Sequence, residues 1–470
     1  VISDSVEPAA EPLPAPEPVA RWRRSSGRLS LLAVAVVATL WLTVLVHRAE
    51  LEVALIAISG LACVALTILE RSAPVLTLRV VAVAIGVLIA AAVIAPSRAS
   101  KDLWSYTMYG RMVAVHHVSP YDHVPAEFPS DPFSKLVSAR WSRQSSVYGP
   151  AFSATAAIDV TVAGNSPLAS RLMFQGTAAA AVVGVFVLVW RRTRSPVALL
   201  WLGLNPVTAA VVNGGHNDAV VALGLVSGAA LLVNRRVSGA GVVLGFAALF
   251  KITALFGVVG GCFWLWRAGR RREARSLAAA STGVVALGYL PVLATATRVL
   301  GTANHTVTDA SAWNPLGDAL LGHQAWRDVP NPLAPNPTLS TIALASGLLV
   351  LALVVVLGWR AATAREPEPP MGTSVACYPM AAAYTFPWYA IWVLPLFASR
   401  RPSAVGWIVW IQSLVMLAAL KLPNHPTGSV AEAVDRFALT IVAPGCLLVA
   451  FVVIAARARR PACAPATLPA

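Results

Sequence analysis

The chain has 470 residues, 57% of them hydrophobic and 12% charged, with a mean hydropathy of +0.69. A soluble domain carries roughly 25% charged residues, so a water-soluble fold is excluded. A membrane barrel is excluded too, because its strands of about ten residues would alternate in hydropathy and these runs do not. The formal charge of +15 does not imply a nucleic acid partner. Short bursts at 21–28, 71–79, 191–194, 235–236, 267–275, 360–365, 400–401 and 457–460 hold 23 of the 36 Lys and Arg. They lie between apolar runs, which marks cytoplasmic turns and gives membrane lipids with acidic headgroups a place to bind.

In chain order, the first twenty residues contain five Pro and four acidic residues, and 1–28 reads as a disordered cytoplasmic tail. The run 29–46 has no small-residue cleavage box and reads as an anchor. Runs 51–69 and 78–96 follow, so 29–96 forms an amino-terminal three-helix membrane segment. Residues 97–167 read as an extracytoplasmic loop, with 149–164 as a helix lying in the outer interface. A transmembrane core over 168–456 takes further runs at 168–190, 195–212, 217–234, 237–267 (two short limbs joined near Lys251), 277–296, 337–358, 372–386, 389–399, 403–420 and 434–456, and 457–470 is a second cytoplasmic tail. The expected fold is an all-α polytopic membrane protein with about 14 crossings (12–14), both termini cytoplasmic. On that count Asp102, Tyr148, Asn213–Asp218, Lys251, the segment 297–336, Trp388–Tyr389 and Asn424–His425 share the outer face. The five cysteines (63, 262, 377, 446 and 463) have irregular spacing and no CxxC, which indicates neither a disulfide framework nor a metal site.

Four stretches concentrate polar chemistry. In KDLWSYTMYGRMVAVHHVSPY (101–121), helical spacing puts Asp102, Tyr106 and Tyr109 on one face. Asp102 reads either as a first-turn carboxylate or as a base where a lipid-borne substrate meets water, with Arg111 nearby. In LNPVTAAVVNGGHNDAVVALGL (204–225), Asn213, His216, Asn217 and Asp218 precede an apolar helix whose free N–H groups favour an anion. Asp218 reads equally as a cap, and one His with one Asp falls short of a metal signature. Lys251 in LFKITAL (249–255) either snorkels to the interface or faces a lipid phosphate. In YTFPWYAIWVLPL (384–396), Trp388 and Tyr389 are either interfacial belt residues or a stacking wall for a sugar or lipid chain.

Together with SVYGPAFS (146–153), these stretches resemble the actinobacterial polyprenyl-phosphomannose-dependent mannosyltransferases, within the GT-C superfamily of integral-membrane glycosyltransferases, from about residue 97 to 400. The resemblance implies a GT-C-like fold and inverting transfer from a polyprenyl-phosphate sugar donor, on the extracytoplasmic face of the plasma membrane, to a glycolipid or glycan of the cell envelope. It implies no cofactor. The catalytic carboxylate of the first large loop matches Asp102, and the aromatic–Gly–Pro element of a juxtamembrane helix matches Tyr148, Gly149 and Pro150. Two departures stand out. The first large loop follows the third apolar run rather than the first. Leu103 follows Asp102 where such loops commonly place a second acid, which weighs against a metal-dependent carboxylate pair.

The resulting expectation is a single displacement. Asp102 takes the acceptor hydroxyl's proton, while Lys251, with Arg111 and His216, neutralises the departing phosphate. Tyr106, Tyr109, Tyr148, Asn213, Asn217, Asp218, Trp388 and Tyr389 contact substrate, and no metal ligands are expected. Nucleotide sugars are disfavoured, since no GxGxxG or P-loop is present. The competing readings are an arabinofuranosyltransferase using decaprenyl-phosphate arabinose, a transporter or flippase for a lipid-linked sugar, and a non-catalytic assembly partner. Oligomeric state is not encoded in any of these features.

Overall fold

The first two apolar runs fold as an antiparallel hairpin of helices α1 (Pro18–Val44) and α2 (Ala49–Ser72). Small residues let them approach closely, and Thr39 and Ser59 share a hydroxyl hydrogen bond of 2.7 Å. Buried Arg28 and Glu70 pair at 2.6 Å (Nε to Oε1). Arg28 also donates to Leu69 O and Ala73 O, and Glu70 accepts from Val75 N and Leu76 N. Both charges are thereby compensated at the end of the hairpin, as a group buried in an apolar segment requires.

The computed structural model describes residues 18–45, 48–98, 100–295, 307–321, 337–399, 401–422 and 429–457, and among them every regular element is helical. Residues 1–17 and 458–470, most of the 297–336 segment and Asn424–His425 lie outside the described residues. After α3 (Leu78–Ile94) come α4 (Asp102–Ala114), a stretch of short turns containing α5 (Ala139–Ser142), and α6 (Pro150–Ala163). Next are α7 (Pro167–Thr193), α8 (Pro196–Gly203), α9 (Pro206–Asn213), α10 (Asp218–Val233), α11 (Val237–Ala248), α12 (Leu255–Arg267) and α13 (Arg271–Tyr289).

The number of crossings is about six or seven, not fourteen. Among the described residues, six helices are long and apolar enough to cross a bilayer: Ser25–Val44, Ala49–Ser72, Pro167–Thr193, Arg271–Thr295, Thr338–Ala361 and Val430–Arg457. The pair α8 and α9, bent by 61°, makes a seventh if counted as one span. The bend has a local cause. Pro206 cannot continue α8, Asn205 caps α9 by accepting from Val207 N at 2.9 Å, and the Thr208 hydroxyl donates to Leu202 O at 2.8 Å. The other runs expected to cross fold as helices of 10–17 residues, short of the ~20 residues a perpendicular span needs at 1.5 Å each. For two of them the apolarity has another origin. The inner face of α10 and nearly all of helix Ala390–Phe397 are buried in the protein, and a helix inside protein reads as apolar as one inside lipid. The longer spans do present side chains such as Leu61, Leu287 and Leu344 outward.

Two ends of the bundle differ in chemistry. At one, Arg192 binds Glu366 and Glu368, Trp264 Nε1 donates to Ala364 O at 3.2 Å, and the Arg267 guanidinium lies 5.1 Å from the Trp359 ring. The basic bursts 191–194, 267–275 and 360–365 therefore gather together. Helices α7, α10 and α12 run away from that end to begin near the polar stretches 101–121, 213–218 and 249–255.

Helix α4 lies directly on α6. A Cβ on Gly110 would sit 2.4 Å from Ala156 O, on backbone that cannot swing aside. Gly110→Val should therefore lower stability by about 1–3 kcal/mol, the usual cost of overpacking. Thermal unfolding in detergent reads this as a drop in midpoint, and an unchanged midpoint would contradict the packing.

Candidate functional site

The polar centre is assembled by a backbone contact. Gly149 N donates to Phe250 O and Ala151 N to Leu249 O, each at 3.1 Å. A Cβ on Gly149 would lie 2.1 Å from Leu249 O, so only glycine permits this approach. It sets Tyr148 beside Lys251. The Lys251 ammonium is 5.4 Å from the Tyr148 ring, 4.7 Å from Tyr389 and 5.3 Å from Trp392. It donates to both oxygens of Asp218 at 2.8 and 3.0 Å. Asp218 opens α10, where the helix N-terminus favours a carboxylate. Pairing, the helix end and three π faces together offset the cost of holding these charges away from water.

His216 joins this pair to Asp102. Its Nδ1 is 3.3 Å from the Tyr106 hydroxyl and 3.9 Å from Asp102 Oδ2. The Tyr148 hydroxyl donates to the Tyr106 hydroxyl at 3.4 Å. The imidazole stacks on Trp388 at 4.2 Å, Trp388 stacks on Phe386 at 4.6 Å, and Tyr389 stacks on Trp392 at 4.3 Å. Both glycines of the turn are needed. Gly215 has φ +60° with Phe174 and Leu103 against it, and a Cβ on Gly214 would lie 2.4 Å from His216 Nε2. Asn217 is buried, and its side-chain nitrogen and oxygen have no partner among the described residues.

Asp102, Tyr106, Tyr148, His216, Asp218, Lys251, Trp388 and Tyr389 thus form one contiguous group drawn from stretches far apart in sequence. Tyr109 borders it, 6.4 Å from the Tyr148 ring, with its hydroxyl donating to Gln144 O at 3.1 Å. Asn213 does different work. Its amide donates to Ala92 O, Ala95 O and Pro96 O, and its oxygen accepts from Arg98 N. It therefore satisfies the carbonyls left open at the end of α3 and fixes the chain entering α4. Gln175, on which the sequence reading was silent, shares this role by donating to Ala92 O, Ala95 O and Asn213 O.

Arg111 is also committed elsewhere. It is buried, its Nε donates to Asp131 at 2.8 and 3.0 Å, and its guanidinium lies 4.8 Å from the Phe133 ring. His116 Nε2 reaches the same carboxylate at 2.8 Å. This knot pins the 115–149 segment to α4. Asp131, Trp392, Phe386 and Asp159 are structural or cavity-lining residues that the sequence reading did not single out. Asp159 had a signal, being the one acid inside the apolar stretch 149–164.

The arrangement offers a half-buried carboxylate with a histidine behind it, and an ammonium one tyrosine away. That is a proton acceptor and an anion-stabilising cation in one aromatic-walled group. Among the described residues no cluster of three or more His, Cys, Asp or Glu could hold a metal ion.

Fold and centre together define a multi-pass α-helical membrane protein with a carboxylate–histidine–lysine group at one end of its helices. The family described as alpha-(1->6)-mannopyranosyltransferase, N-terminal domain, matches residues 16–268, more than half of the chain, and the chain belongs to that family, a GT-C-like group of membrane mannosyltransferases. It is similar to alpha-(1->6)-mannopyranosyltransferase A of Mycobacterium tuberculosis (strain ATCC 25618 / H37Rv), 26% identical over 355 residues, 66% of this chain and 64% of that relative. The match thus spans less than two thirds of the relative's length. No solved structure matches.

The Asp131 knot makes a prediction about acid. Burial pushes the Asp131 carboxyl up, but hydrogen bonds from Phe133 N, Arg111 and His116 outweigh it and hold the group below the ordinary value of 3.8. A carboxylate depressed on folding stabilises the protein above its unfolded pKa, and that contribution is lost as pH falls through the folded one. The wild type should therefore lose stability as pH falls below 3.8. Asp131→Asn should lose this dependence and should be weaker by about 3–5 kcal/mol at neutral pH, because Arg111 is left unpaired. Thermal unfolding across the acid range checks both, and parallel curves for the two proteins would contradict it.

Proposed function

We propose that this protein moves a mannosyl group from a polyprenyl-phosphate donor to a glycolipid or glycan of the cell envelope. The observation that carries the reading is the single group formed by Asp102, His216 and the Asp218–Lys251 pair, within a chain of the mannosyltransferase family. Asp102 accepts the acceptor hydroxyl's proton as that oxygen attacks the anomeric carbon. The bond from that carbon to the phosphate oxygen breaks on the opposite face, so configuration inverts. Lys251 uses two donors on Asp218 and has a third N–H for the departing phosphate. No general acid is required, since the lipid phosphate leaves as an anion. Trp388, Tyr389 and Tyr148 form the wall against which sugar and lipid lie. Arg111 has no part in phosphate binding in this scheme, because Asp131 occupies it.

Sidedness follows from charge. Helices α7, α10 and α12 lead from the centre to Arg191–Arg194, Arg235–Arg236 and Arg267–Arg275. If basic ends face the cytoplasm, the centre faces outward, with residues 97–167 forming its extracytoplasmic cover. The prenyl tail then stays in the bilayer while the phosphate reaches Lys251.

Asp102→Asn should reduce transfer from purified polyprenyl-phosphate mannose by at least about 100-fold, and Lys251→Met should raise the donor KM. Full activity in Asp102→Asn would remove the proposed base. An impermeant maleimide should label a cysteine at exposed Asp122 in intact cells but one at exposed Arg235 only after permeabilisation. The reverse pattern would overturn the orientation.

A further inference from the structure

The second ring nitrogen of His216 points to a feature the proposed chemistry does not use. Nδ1 faces Tyr106 and Asp102, whereas Nε2 is buried without a partner among the described residues. His216, Asn217, Asp159 and Thr155 line a small cavity of about 20 Å³, with Phe152 and Phe174 among its apolar walls. Asp159 Oδ2 and both polar atoms of Asn217 are likewise buried and unpartnered. A buried polar atom left unsatisfied forfeits its hydrogen bonds to water, which destabilises the fold. A space of this size holds one water, which needs two to four polar partners. His216, Asn217 and Asp159 supply them.

We propose that Asp159 is a positioning residue for His216, acting through one water held in this cavity by Asn217. The His216 Nε2–H donates to the water, and the water donates to the Asp159 carboxylate. The ring proton is thereby fixed on Nε2, and the Nδ1 lone pair is left to accept. Nδ1 accepts from the Tyr106 hydroxyl, which accepts in turn from Tyr148. His216 then presents an acceptor toward Asp102, so Asp102 gains no proton from the imidazole and stays ready to take one from the acceptor sugar. Of the groups lining the cavity, only Asp159 and His216 titrate. The outer face of the imidazole meets Asp102 and Tyr106, with the Lys251–Asp218 pair beyond. The effect on turnover rests on the proposed role of Asp102, whereas the tautomer and the water do not.

The test is nitrogen-15 NMR of histidine-labelled full-length protein in lipid, with His216→Gln assigning the signal. The wild type should show the Nε2–H tautomer. Asp159→Leu should redistribute the proton toward Nδ1, and Asp159→Asn, which keeps a hydrogen-bonding group and serves if the leucine variant fails to fold, should give a smaller shift. In the transfer assay Asp159→Asn should lower kcat by about tenfold, in the range for a residue orienting a functional histidine, with the donor KM unchanged within about twofold. A wild-type Nδ1–H tautomer, or a tautomer indifferent to both substitutions, would overturn the proposal. Absence of mannosyl transfer by the wild type would instead sink the functional reading and leave the NMR result to decide this one.

Discussion

An ammonium and a carboxylate held away from water constrain the rest of the site. Lys251 and Asp218 cannot remain charged in an apolar bundle unless they meet, and their meeting requires the start of α10 and the turn after α11 to lie side by side. The rings of Tyr148, Tyr389 and Trp392 close around the pair. Removing either charge would leave the other uncompensated. The geometry is therefore held by the same groups that give the centre its electrostatics.

Close backbone approach brings the remaining parts to that pair. Gly149 lets the segment after Tyr148 hydrogen-bond residues 249–250, and Gly110 lets α4 lie on α6. Asn213 and Gln175 close off the carbonyls at the end of α3, which steadies the short connection into Asp102. The contacts of Gly149, Asn213 and Gln175 act at chain breaks, where backbone groups would otherwise be unsatisfied, whereas Gly110 lets two helices pack along their middles. The polar residues around the centre thus divide into those that face it and those that hold its frame. Arg111 belongs to the second kind, through Asp131.

Much of this was legible in the sequence. Helical class followed from apolar runs that do not alternate, and the four polar stretches stood out against a greasy background. Their sharing one face was expected from a fourteen-crossing count that the helix lengths overturn. Three things were not legible. Apolarity does not distinguish lipid from protein interior, so buried α10 and helix Ala390–Phe397 were read as crossings. Partner choice is three-dimensional: nothing near Arg111 in the chain announced that Asp131, twenty residues on, would bind it. Asp159 is one acid in an apolar stretch, and its nearness to His216 exists only after α6 packs against α7.

The proposed reaction turns on where a lipid phosphate binds. A cryo-EM structure of the full-length protein with polyprenyl phosphate in nanodiscs measures this directly. The phosphate is expected within hydrogen-bonding distance of Lys251 Nζ, with the first prenyl units against Trp388 and Tyr389. A phosphate seated at the basic end near Arg192 and Arg401, with the Lys251 group untouched, would contradict the account.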